Sequence, residues 1–301
     1  MDQEKESDRC IQSDSVTRTE ARRNASENTL KAYEHAKQKL QAWLEGRKLT
    51  DTMLAEYIRN LYAEGKSAAT INLVVAAVKW MIAYKGADYE VGPVTARVHS
   101  EIRMEGKKQR RRLVDGLAWD DVERMCAAAE SSETTSGLRD AAMISLMSDC
   151  LLRISEAVAV NVEDVTGEGL LVRGGEEEQA EDSLYICEPT RDFIKRYQKR
   201  AGIKSGALFR RIRYHTHVTA DRLGVKGARE AIQRWAKEAG IKGTISGQSL
   251  RIGSALSLAE AGATVKEMQR AGRWLDPAMP ARYVREAPPE QSPVERYKDR
   301  K

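Results

Sequence analysis

Apolar residues recur at helical spacing in three successive early segments, 27–46, 50–65 and 67–86. Thr50 and Ser67 stand where N-caps belong, and Gly46, Gly65 and Gly86 stand where helices stop. In the third segment Ile71, Val74, Val75, Val78 and Ile82 form one broad stripe with Trp80 and Tyr84 beside it, the pattern of a helix packed on a core. Pro93 opens a fourth helix over 94–105, since proline suits a first turn. A four-helix unit over 26–105 follows. After a basic interruption the helical pattern resumes at 119–130, with Asp120 and Asp121 in its first turn. It continues at 138–148, 154–160, 189–200, 220–239, 249–261 and 265–271. Two short strands, 170–172 and 183–186, flank a turn of Gly174, Gly175 and acidic residues. The fold class is therefore mainly α, with a second, mostly helical domain that carries a small antiparallel sheet.

Residues 1–25 are polar and without apolar period, which predicts a flexible N-terminal arm. With 301 residues, 41% hydrophobic and 32% charged, the chain has the size of two domains and the composition of a soluble globular protein. A net charge of +5 permits nucleic-acid binding without requiring it. Distribution says more than the total. Arg97, Arg103, Lys107, Lys108, Arg110, Arg111 and Arg112 crowd one stretch against Glu101 and Glu105 alone. The densest part lies in a linker at 106–116, where Lys107, Lys108, Arg110, Arg111 and Arg112 are candidate DNA contacts that neutralise phosphates without reading sequence. Beyond it, 117–287 forms the second domain and 288–301 a C-terminal tail. Cys10, Cys126, Cys150 and Cys187 are widely spaced and offer no metal-ligand pattern. The start, MDQEKESDRC, lacks the apolar core of a secretory leader, and the most apolar segment, 68–84, is broken by Asn72 and Lys79. A cytoplasmic protein without metal or cofactor is expected.

The candidate chemistry lies between Ser246 and Ala287, where Arg251, Trp274 and Tyr283 follow one another, with Arg153 upstream in CLLRISEAV. Two guanidiniums and a late phenol suit covalent phosphodiester chemistry: arginine clamps phosphate oxygens bidentately, and a phenol attacks phosphorus without a metal. Arg153 sits among apolar residues and needs a partner, which Glu156 offers. Arg251 lies near the start of an amphipathic helix whose Leu250, Ser254 and Leu258 face inward, so by itself it reads as a surface arginine. Trp274 carries an indole N–H able to donate one hydrogen bond. Tyr283 stands on a short segment constrained by Pro277 and Pro280, and Arg282 and Arg285 flank it. A phenol ordinarily titrates at about pH 10, so attack at neutral pH requires nearby positive charge or a base.

These residues and their spacing resemble the tyrosine recombinase (phage integrase) family, and the wording around them is most similar to its Cre-like branch. The resemblance runs from about Asn28 to Tyr283. It implies a SAM-like core-binding domain at 26–105 that clasps one face of duplex DNA, and a catalytic domain at 117–287. Tyr283 would be the nucleophile, giving a 3′-phosphotyrosine and a free 5′-hydroxyl, with Arg153 and Arg251 on the nonbridging oxygens and Trp274 where many relatives carry histidine. Implied partners are double-stranded DNA and three further copies, as a homotetramer on paired sites, with 288–301 exchanged between protomers. Two positions depart from the family pattern. Gln248 stands where a histidine is usual, three residues before Arg251, and the hairpin lysine has no counterpart in VRGGEEEQAEDS. Arg173 is the nearest cation by position, and a guanidinium is a poor proton donor. Reduced activity is expected from both. Two alternatives stay open: a DNA-binding relative with impaired or lost catalysis, and a non-catalytic helical protein-interaction module in which Arg153, Arg251 and Tyr283 lie far apart.

Overall fold

The computed structural model describes residues 25–85, 89–108, 115–172, 183–214 and 216–286. The chain divides between Arg111 and Arg112 into two compact units, each with its own core. The arm at 1–24, Gly86, Arg110, Arg111, Arg112, Arg173 and the tail at 288–301 lie outside the described residues.

The first unit is helical: α1 (Glu27–Leu44), α2 (Asp51–Ala63), α3 (Ala68–Lys85) and α4 (Pro93–Lys108). Ser26, Thr50 and Ser67 each accept a backbone N–H three residues on, from Thr29, Met53 and Thr70, so the first three helices start at side-chain caps. The stripe expected on α3 is the core: Ile71, Val74, Val75 and Val78 are buried and Ile82 is half-buried. The helix α4 starts at Pro93, where Asp51 takes the role of a cap from another helix. Its carboxylate accepts the N–H groups of Gly92, Val94 and Thr95 at 2.9–3.1 Å, and the Thr95 hydroxyl donates to its carbonyl. Desolvation pushes the Asp51 carboxyl upward, but the bonds from Thr95, Val94 and Gly92 outweigh it and hold the group below its usual range. Asp51→Ala is expected to lower unfolding free energy by about 1–2 kcal/mol in urea titration. Because the folded value is depressed, the advantage of the wild type is complete above the unfolded carboxyl pKa of roughly 4. It disappears as pH falls through the folded value, and a difference that held constant into acid would sink the account.

The second unit is built around α6 (Thr135–Asp149), which packs on α5 (Trp119–Ser131) and is buried on every side. A charged cluster forms around the buried Asp140. Asp140 accepts from Arg139 at 2.8 Å, Arg234 at 2.6 Å and the Trp235 indole at 2.9 Å, so the buried charges are paired. The helix starts three residues before the expected 138 because the Thr134 hydroxyl accepts the Gly137 N–H. There follow α7 (Ile154–Ala159), β1 (Leu170–Leu171), β2 (Ser183–Leu184), α8 (Glu188–Ala201), β3 (Arg210–Arg213) and β4 (His217–Arg222). The chain then enters α9 (Val225–Glu238), α10 (Ser249–Glu260), α11 (Val265–Gly272) and α12 (Ala278–Glu286).

Two features correct the sequence reading. The helix expected at 220–239 begins only at Val225, because residues 217–222 pair antiparallel with β3 and Gly224 caps the helix. The described residues therefore hold two separate two-stranded sheets, β1–β2 and β3–β4, where one was expected. The segment around Tyr283 is a helix, α12, since Pro280 stands in the first turn, where its missing N–H breaks no bond. Among the described residues no helix is long and apolar enough to cross a membrane.

Candidate active site

The site grows from the enclosure of α10. Gly253 lies so close to Leu117 that a Cβ there would run into its backbone, and the Leu117 N–H donates to Ser249 at 2.9 Å. The first turns of α10 are thereby buried on all faces, and Arg251 is 4% exposed, where the sequence alone suggested the surface. A buried guanidinium must find acceptors. Arg251 donates to the carbonyls of Leu151 and Gly272, and its guanidinium lies 4.5 Å above the Trp274 ring.

Trp274 in turn faces Tyr283, with ring centroids 5.7 Å apart and planes tilted 44°. Gly272 permits this stack, since a Cβ at 272 would collide with the indole. Tyr283 is 3% exposed and packs with Leu151, Ile252, Ala255 and Met268. The helices α10, α11 and α12 thus converge on one arginine, one tryptophan and one tyrosine.

Arg153 forms the rim. It is the N-cap residue of α7, and its side chain is 47% exposed. Its guanidinium donates to Glu156 at 2.6 Å and its backbone N–H to the other carboxylate oxygen at 2.8 Å, so the expected partner is the observed one. That second oxygen also accepts from Arg273 at 2.7 Å. Burial would raise the Glu156 pKa, but the Arg153 N–H, the Arg273 charge and the Arg153 guanidinium hold it below the usual carboxylate range. Arg251 is pushed down to about 10, first by burial and then by the like charges of Arg153 and Arg273; Glu156 and Tyr283 act in the opposite direction. It remains protonated at neutral pH. Arg153, Glu156, Arg273 and Tyr283 all lie within electrostatic reach of Arg251.

Gln248 is the exposed N-cap residue of α10, one turn before Arg251. The preceding Gly247 approaches Ile154 so closely that a Cβ would stand 2.9 Å from its Cδ1, which sets Gln248 beside the start of α7. Lys107 and Lys108 close α4.

Sequence reasoning missed two features. The first is Arg273, whose signal in the sequence is an arginine set between glycine and tryptophan in AGRW. The second is a cleft of about 690 Å³ lined by Arg139, Arg211, Arg222, Lys226 and Arg234, with Asp221 and Glu230 among them. The run FRRIRYH from Phe209 to His215 was its signal.

The chain is thus a helical unit followed by a second unit in which Arg251, Trp274 and Tyr283 pack together within electrostatic reach of the Arg153–Glu156–Arg273 cluster. The chain belongs to the phage integrase family: the family's profile matches residues 116–290, and its N-terminal SAM-like domain matches 19–86. Among its relatives, tyrosine recombinase XerD of Listeria monocytogenes serotype 4b (strain F2365) is 26% identical over 260 residues, 82% of this chain and 84% of that protein. Tyrosine recombinase XerA of Pyrococcus horikoshii is 26% identical over 247 residues, 81% of this chain and 78% of that protein. The fold is similar to that of the XerH site-specific recombinase in its post-cleavage complex with difH DNA, at TM-score 0.65 and 15% identity over 92% of this chain and 81% of that one. It is also similar to lambda integrase (75–356) bound to a core site, at TM-score 0.62 and 16% identity over 94% and 96% of the two chains. The two relatives named by sequence are Xer recombinases, and the Cre-like branch stays an expectation of the sequence.

Proposed function

We propose that the protein is a site-specific DNA recombinase that cuts and rejoins duplex DNA through a 3′-phosphotyrosine. The observation that carries this reading is the convergence of Arg251, Trp274 and Tyr283 behind the Arg153–Glu156 rim. The interaction-module alternative required these residues to lie apart, and they share one centre. The names of the matched relatives agree with the reading.

The Tyr283 phenol oxygen attacks the scissile phosphorus and the bond to the 5′-oxygen breaks; the phenol proton passes to solvent water, and the 5′-oxygen takes a proton from solvent water. The phosphotyrosine keeps the bond energy, so the reverse attack rejoins a strand. Arg251 from the floor and Arg153 from the rim neutralise the nonbridging oxygens, where negative charge is greatest in the transition state. Trp274 holds the Arg251 guanidinium over its ring and offers its N–H to the phosphate. Gln248 donates an amide hydrogen bond from the α10 cap, and Glu156 orients Arg153. The helical unit clasps the duplex, aided by the basic linker through Lys107, Lys108, Arg110, Arg111 and Arg112. Four protomers act on paired sites and exchange their tails, as DNA-associated protein in the cytoplasm.

A second reading, a DNA-binding relative with weakened catalysis, is favoured by Gln248 and by the lack of an evident lysine in VRGGEEEQAEDS. An amide neither gives nor takes a proton, and acid–base help is worth roughly 100-fold to 10,000-fold. One experiment separates the two. Duplexes enriched by binding from a randomised pool are nicked near their centre and incubated with the protein, and products run on a denaturing gel. The recombinase reading expects a covalent adduct whose DNA-bearing peptide contains Tyr283. DNA that is bound without adduct gives the second reading, and duplex binding indifferent to salt removes both.

A further inference from the structure

Arg273 stands between Gly272 and Trp274 with a left-handed backbone, φ 52° and ψ 48°. That conformation favours glycine, and side chains held in it collect at functional sites. The guanidinium is mostly shielded and divides its donors: one to the Cys150 carbonyl at 3.2 Å, the other to Glu156 at 2.7 Å. Since Arg153 holds the opposite carboxylate oxygen, a single carboxylate joins two guanidiniums. The charge balance shows what Arg273 adds. Arg153, Arg251 and Arg273 against Glu156 leave a surplus of two positive charges where a phosphodiester would sit, and removing Arg273 halves it.

We propose that Arg273 is a positioning residue for strand cleavage: it holds Glu156 so that Arg153 is aimed at the scissile phosphate, and it cancels the charge of a carboxylate that would otherwise repel the DNA backbone. This rests on the recombinase reading above. Arg273 touches no reacting atom in this arrangement and acts through its two neighbours.

The test is single-turnover adduct formation on nicked duplex by the full-length protein. Arg273→Gly relieves the backbone conformation while deleting the charge, so melting temperature and duplex affinity are expected to hold, with binding within about twofold of the wild type. Adduct formation is expected to slow by about 10-fold or more. Arg273→Lys, which keeps a positive charge, is expected to recover most of that loss. In a Glu156→Gln background the glycine substitution is expected to slow the reaction by less than about twofold, because its object is gone. Should Arg273→Gly melt early, Arg273→Gln reads the same point with most of the side chain retained. A neutral variant that folds, binds DNA and cleaves at the wild-type rate overturns the assignment, as does an undiminished loss in the Glu156→Gln background. A wild type that binds DNA and yields no adduct removes the recombinase reading instead, and this assignment with it.

Discussion

Tyr283→Phe is expected to abolish the covalent protein–DNA adduct, by at least about 1,000-fold in single turnover, while leaving duplex binding intact. The expectation rests on how little else the substitution removes. The ring stays in its pocket among Leu151, Ile252, Ala255 and Met268 and keeps its tilted contact with Trp274. Only the hydroxyl is lost, and with it the nucleophile. Among the described residues no other tyrosine shares this centre: Tyr185 and Tyr214 are exposed, and Tyr197 is sealed against Phe209 in the main core of the unit. Adduct yield on the nicked duplex, beside affinity measured at the same salt, checks the prediction. A Tyr283→Phe protein that still becomes covalently attached would place the nucleophile elsewhere and dissolve the role given to α12.

The distribution of information between sequence and structure has a physical reason. Local signals decided what was legible. The caps at Ser67 and Thr50, the apolar stripe on α3 and the Arg153–Glu156 pair all depend on residues within a turn or two of each other, and each is found where the spacing predicted. The helix start at 225 and the β3–β4 hairpin were not legible, since the pairing of Ile212 with Val218 competes with helical propensity and is decided by tertiary packing. The exposure of Arg251 was misjudged for a similar reason. Its burial follows from the close approach of Gly253 to Leu117, far earlier in the chain, which no period in the sequence encodes. Arg273 shows the same limit, because its meaning lies in a carboxylate on another helix. Family resemblance supplied the pairing of distant residues that periodicity lacked.

Arg251→Met separates the demands of the fold from those of the chemistry. Holding a guanidinium charged in this enclosure is unfavourable: its pKa is driven from the usual guanidinium value down to about 10, a handicap on the order of 3 kcal/mol at neutral pH. Methionine lifts that handicap and sets a polarisable sulfur near the Trp274 ring. Against this, the carbonyls of Leu151 and Gly272 lose their donor, at about 1–3 kcal/mol each if both stay dry. The two effects oppose each other, so unfolding free energy is expected to change by no more than about 3 kcal/mol. Catalysis has no such compensation. Removing the buried donor to a nonbridging oxygen is expected to slow adduct formation by about 1,000-fold, or roughly 4 kcal/mol of barrier. Urea melts and single-turnover cleavage on the same preparation measure both quantities. A stable variant with near-normal cleavage would remove Arg251 from the reaction, whereas a collapsed fold would show that the arginine holds α10 and α11 together more strongly than its burial opposes. The expected result, a fold that survives the loss beside a crippled reaction, follows from a guanidinium that burial disfavours and that a phosphate would engage.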